Sequence, residues 1–159
     1  MSDVLVADSI ADARKPVRSW RDLRTVPNGA VIPVAGGVAM GWEIYGLTRG
    51  ANGRSRWRVT LSREDGRAVV NMDMRSLIVG DPEAGVKVVS AEPDATMMSY
   101  VRNEPSQSRM VEYIRFRMPD IGEGRHVLRV RIEDLLNNRV TQRSVTVRVL
   151  DPRRQSRPQ

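Results

Sequence analysis

The chain has 159 residues, 40% of them hydrophobic and only 4% aromatic, enough to build the core of one domain. It contains no cysteine and one histidine, which removes disulfides, thiol nucleophiles and cysteine metal sites and argues against a histidine metal site or a Ser-His triad. The formal charge of +7 is carried by arginine, since Lys15 and Lys87 are the only lysines among 26 basic residues.

Residues 3–8, Asp-Val-Leu-Val-Ala-Asp, predict a first strand. Residues 9–15 are polar and end at Pro16, as a loop or single helical turn does. Residues 17–26 place Trp20 and Leu23 three apart, which suits a helical turn or an extended arm laid over the body. Pro27-Asn28-Gly29 is a turn, because proline presets φ and glycine supplies a positive one. Val31-Ile32-Pro33 reads as an edge strand, since Pro33 has no N–H for a ladder.

In residues 38–47, Val38, Met40, Trp42 and Ile44 share one face, and Ala39, Gly41, Glu43 and Tyr45 the other. The basic stretch 48–55 has the composition of a flexible loop. Residues 56–63 turn Trp57, Val59 and Leu61 inward, and Asp65-Gly66 signals a hairpin into a strand at 68–77. A loop at 80–85, a strand at 86–90, a turn at 93–96 and a short strand at 97–101 follow, then a polar break at 103–108. Residues 110–118 alternate, with Ile114 and Phe116 opposite Tyr113, Arg115 and Arg117.

The cleanest period-2 run is 124–134: His126, Leu128, Val130 and Ile132 on one face, Val127, Arg129, Arg131 and Glu133 on the other. Residues 139–150 alternate as its hairpin partner, with Val145, Val147 and Val149 inward. The tail has the Arg/Pro/Ser/Gln composition of a disordered basic end. The pattern predicts an all-β, immunoglobulin/fibronectin-III-like antiparallel sandwich over residues 34–150. Residues 1–33 form its amino-terminal strand and arm, and 151–159 the basic tail.

The markers Ser2-Asp3-Val4-Leu5-Val6-Ala7-Asp8, Trp20-Arg21-Asp22-Leu23, Pro27-Asn28-Gly29, Trp42-Glu43-Ile44-Tyr45-Gly46-Leu47 and Gly124-Arg125-His126-Val127-Leu128-Arg129-Val130 span nearly the whole chain. In them the chain resembles the carboxyl-terminal β-sandwich of bacterial GWxTD-domain-type proteins. The resemblance implies a sandwich that follows a larger amino-terminal region on an exported chain. The naming motif is absent: Gly41-Trp42 is followed by Glu43-Ile44, so no activity of the motif region carries over. Sandwiches of this type often place a tyrosine at the corner opening the penultimate strand, its hydroxyl tied to backbone. His126 stands there and can make the same tie, with a pH-switch or ligand role as the alternative.

The acids are scattered through turns, with no paired carboxylates or nucleophile–base set, so no catalytic residue is assigned. Neither a cofactor nor a metal is expected, although Asp120 and Glu123 share a corner where calcium would be the likeliest surprise. The arginine excess has two readings: genomic composition bias with ordinary solvated strand faces, or a surface for an acidic partner. Arg115, Arg117, Arg129, Arg131 and Arg148 would share a face if their strands neighbour each other, diluted by Glu112 and Glu133 and with Tyr113 as its lone aromatic. That paucity of aromatics disfavours nucleic acid.

The expectation is a non-catalytic accessory subunit docking on the protein subunits of a larger bacterial complex, membrane-associated and of the respiratory or photosynthetic kind. The docking residues would be Trp20, Arg21, Arg115, Arg117, Arg129, Arg131, Arg153, Arg154 and Arg157. An anionic membrane surface is a further candidate partner, and no small-molecule substrate is evident. The resemblance implies a periplasmic or membrane-peripheral location. A true start at Met1, with no signal peptide and no apolar run of about 20 residues, implies a cytoplasmic one. The alternatives are the carboxyl-terminal domain of an exported enzyme whose active region is missing, or a carbohydrate- or nucleic-acid-binding sandwich.

Overall fold

A computed structural model describes residues 1–12, 19–33, 37–64, 96–117 and 122–151. The strands among them are β1 (Leu5–Asp12), β2 (Leu23–Pro27), β3 (Val31–Pro33), β4 (Gly37–Tyr45), β5 (Arg54–Arg63), β6 (Thr96–Pro105), β7 (Arg109–Arg117), β8 (Gly124–Asp134) and β9 (Arg139–Leu150). A 3-10 turn, Trp20–Asp22, precedes β2. The strands form two sheets, one of four in the order β2-β1-β4-β7 and one of five in the order β3-β9-β8-β5-β6. The fold is an all-β sandwich, as the alternation predicts.

The last hairpin pairs from Gly124↔Val149 to Asp134↔Arg139, closed by residues 135–138. Both strands follow the expected phase. Leu128, Val130, Ile132, Val147 and Val149 are buried between the sheets with Trp42, Ile44, Trp57, Val59, Leu61, Ile114 and Phe116, and Val145 packs against them. Two of the three tryptophans enter this core from opposite sheets, Trp42 on β4 and Trp57 on β5, both essentially without exposure.

Several features differ from the sequence reading. The sandwich is not antiparallel throughout, because β3 pairs with β9 in parallel. The chain leaves β2 at the edge of one sheet and crosses through the turn at Asn28 to the edge of the other, so no hairpin fixes its direction. The amino-terminal segment is tied into the four-stranded sheet rather than only laid across it, with β1 running through Asp12 between β2 and β4. The polar break starts after Pro105, since Arg102–Pro105 still pair with Trp57–Arg54.

The β4–β5 loop, flexible by composition, is held by hydrogen bonds: Gly53 N–H to Gly50 O at 2.9 Å, Arg54 N–H to Asn52 Oδ1 at 3.0 Å and Thr48 N–H to Asp134 Oδ2 at 2.7 Å. A second apolar cluster of Ala7, Ile10, Leu23, Ala39 and Tyr113 lies on the other side of the four-stranded sheet. The expected turn at 65–66, strands at 68–77 and 86–90, loop at 80–85, residues 119–121 of the corner before β8 and the tail at 152–159 lie outside the described residues.

Candidate functional site

Side chains alternate along a strand, so burying Trp57, Val59 and Leu61 puts Arg56, Arg58, Thr60 and Ser62 on the outer face of the five-stranded sheet. Burying Leu128, Val130 and Ile132 likewise puts Arg125, Arg129 and Arg131 there, and burying Val147 and Val149 adds Ser144, Thr146 and Arg148. The register arranges these in rows: Ser62–Arg129–Ser144, Thr60–Arg131–Gln142 and Arg58–Glu133–Val140.

Two of these arginines are neutralised. Arg129 Nη2 donates to Glu64 Oε1 at 2.6 Å, and Arg58 Nη1 to Glu133 Oε2 at 3.0 Å. Arg131 sits between the two pairs, exposed, with hydroxyl and amide neighbours and no acidic partner among the described residues. Arg56, Arg125 and Arg148 are also exposed and unpaired among the described residues. The result is a polar, cationic sheet face rich in Ser, Thr and Arg.

The structure separates residues that the sequence reading grouped. Arg115 is exposed on β7 in the four-stranded sheet, so it cannot share a face with Arg129 and Arg131 on β8. Arg117 ends that same β7. Arg21 is exposed in the 3-10 turn that Trp20 opens. Arg153, Arg154 and Arg157 lie outside the described residues. Tyr113 is buried in the second apolar cluster and is not an aromatic on an open arginine face.

Glu112 does not dilute an outer face either. It points between the sheets, where Oε1 accepts from Tyr100 Oη at 3.1 Å and from Arg102 Nε at 3.0 Å, and Oε2 accepts from Trp57 Nε1 at 3.2 Å. The Arg102 guanidinium also lies 5.8 Å from the centre of the Tyr100 ring. Burial pushes the Tyr100 hydroxyl well above its usual pKa, and the Glu112 charge adds to that. Glu112 shares the parity of Ile114 and Phe116, so the strand phase could have placed it inside. Arg102, two residues after Tyr100, was the available cationic match.

A second buried carboxylate, Glu43, accepts from the Tyr45 hydroxyl and lies 3.9 Å from Arg109 Nη1. That hydrogen bond to Glu43 is the main cause raising the Tyr45 pKa. His126 makes the expected corner tie, Nε2 lying 2.8 Å from Gly122 O. Of the suspected corner acids, Asp120 is outside the described residues, and Glu123 Oε1 accepts from the Asp151 N–H at 2.7 Å. The described residues contain no group of three or more His, Asp or Glu placed to hold a metal.

No family model matches the chain, and no curated protein matches it. Among solved structures it is similar to a family 123 glycoside hydrolase from Clostridium perfringens, described for glycolipid glycan hydrolysis, at 10% identity and a TM-score of 0.33. The similarity covers 76% of this chain and 22% of that enzyme's, so the chain spans less than a quarter of its length.

Proposed function

We propose that this chain is a non-catalytic binding module, an accessory subunit that docks on an acidic surface of a larger bacterial complex through the outer face of its five-stranded sheet. The observation carrying the reading is the pair of exposed arginines, Arg56 and Arg131, that lack acidic partners among the described residues. Guanidinium forks pair bidentately with carboxylates and give up hydration more readily than lysine, so such a face suits an acidic protein surface. The buried carboxylate of Glu112 is taken up by three donors from the opposite sheet, which supports a structural use for it. A periplasmic or membrane-peripheral setting follows from the resemblance of the strand markers and belongs to the same proposal.

The test is native electrophoresis of extracts from the source cell carrying either the tagged wild type or the Arg56→Glu/Arg131→Glu variant. The wild type is expected in a high-mass band, and the variant at the mass of the free chain. Retention of both in the same band, or of neither, contradicts docking through this face.

A further inference from the structure

We infer that the cleft beside Arg125 and Arg148 is a binding site for a tetrahedral oxyanion, the phosphate or sulfate group of a small monoester. The two arginines are direct cross-strand partners on β8 and β9. Like charges so placed repel and cost stability. Neither has an acidic partner among the described residues, and both are exposed. A cleft of about 530 Å³ lies against them, lined among the described residues by Gly29, Ala30, Gly124, Thr146 and Val147 as well.

Three of the lining residues, Gly29, Ala30 and Gly124, have a side chain no larger than a methyl group. Gly29 (φ 62°) and Gly124 (φ 133°) have nothing within 4 Å of where a Cβ would stand, so a side chain there would enter open space at the cleft. Ala30 is held in the left-handed region at φ 60°, which L-residues other than glycine rarely adopt. Asn28 Oδ1 accepts its N–H at 3.0 Å, and its own carbonyl accepts the Arg148 N–H at 2.8 Å. The strained turn is thereby fixed to the strand that bears one of the arginines. Backbone strain maintained by its surroundings is a recurring feature of ligand clamps.

A tetrahedral oxyanion carries acceptor oxygens in more than one plane, so two guanidinium forks from neighbouring strands can each pair with it bidentately. Thr146 is two residues from Arg148, on the same face, and adds a hydroxyl. The cleft is larger than a bare phosphate needs, which leaves room for the organic part of an ester.

The experiment is isothermal titration of the full chain at constant ionic strength with inorganic phosphate, phenyl phosphate and phenyl sulfate, with chloride as the control anion. Saturable binding beyond chloride is expected. It should weaken on the order of tenfold for each arginine removed in Arg125→Ser and Arg148→Ser. Arg148→Lys, which retains the charge and loses the fork, should also bind more weakly. Preference between the two esters assigns the source of the oxyanion. Binding no stronger than chloride, or binding undiminished in the Arg125→Ser/Arg148→Ser protein, overturns the site. Arg131→Glu should leave it intact, so the site stands or falls separately from the docking proposal.

Discussion

Arg102 Nε donates to Glu112 Oε1 at 3.0 Å across the gap between the two sheets, linking β6 of one to β7 of the other. Both side chains are under a tenth exposed, so the pair has lost most of its water. Removing one member of such a pair costs about 3–5 kcal/mol, because the remaining charge stays buried. Glu112→Gln is therefore expected to lower unfolding free energy by that amount in denaturant titration. The double substitution Arg102→Met/Glu112→Leu should recover most of it, since apolar replacement of a whole buried pair is often neutral. A loss below about 1 kcal/mol in the single variant would mean the pair is solvated.

The same cluster sets an alkaline limit. Tyr100 has a folded pKa raised above its ordinary value, through burial first and the Glu112 charge second. A group raised on folding contributes stability that is complete below its unfolded pKa, about 10 for tyrosine, and is lost as pH climbs toward the folded value. Stability should thus fall above about pH 10. Tyr100→Phe should flatten that limb, at the expense of one hydrogen bond to Glu112 near neutrality. Equal alkaline slopes in the two proteins would contradict the assignment.

Ala30 offers a gain in stability. A left-handed conformation costs an L-residue about 1–2 kcal/mol. Glycine relieves this while losing about 0.5–1 kcal/mol more in chain entropy than alanine. Ala30→Gly is expected to raise Tm modestly, by up to about 1 kcal/mol in stability. A lower Tm would show that the turn relaxes without cost.

Asp134 ties two connections together. Its Oδ2 accepts from Thr48 N–H at 2.7 Å and its Oδ1 from Leu136 N–H at 3.0 Å, and its side chain is buried. Asp134→Ala leaves two donors without their acceptor, at about 1–3 kcal/mol. Amide exchange should speed up first at residues 46–53. Unchanged exchange there would leave the loop's order to its internal turns.

The inward rows of β4, β5, β8 and β9 were legible because each strand carries most of its large apolar residues on one parity. The corner tie of His126 was legible from its position at the strand opening. What alternation cannot give is which strand lies beside which. Arg115 and Arg131 have the same outward parity, yet β7 pairs with β4 and β8 with β5 and β9. That order is set by pairing between distant segments. Glu112 was misplaced for a related reason: a charge on an inward parity looks like a surface residue until the strand bearing Arg102 is known to face it. The cleft at Arg125 was invisible because it depends on β3 joining β9 in parallel, which local pattern does not encode.

The docking face is tested most directly by arginine modification. Phenylglyoxal labelling, read by mass spectrometry, should be compared for the free chain and the chain within its native high-mass assembly. Arg56 and Arg131 should react in the free chain and be protected in the assembly, while Arg115, on the other sheet, reacts equally in both. Protection of Arg115 with continued reactivity of Arg56 and Arg131 would contradict docking through the five-stranded sheet.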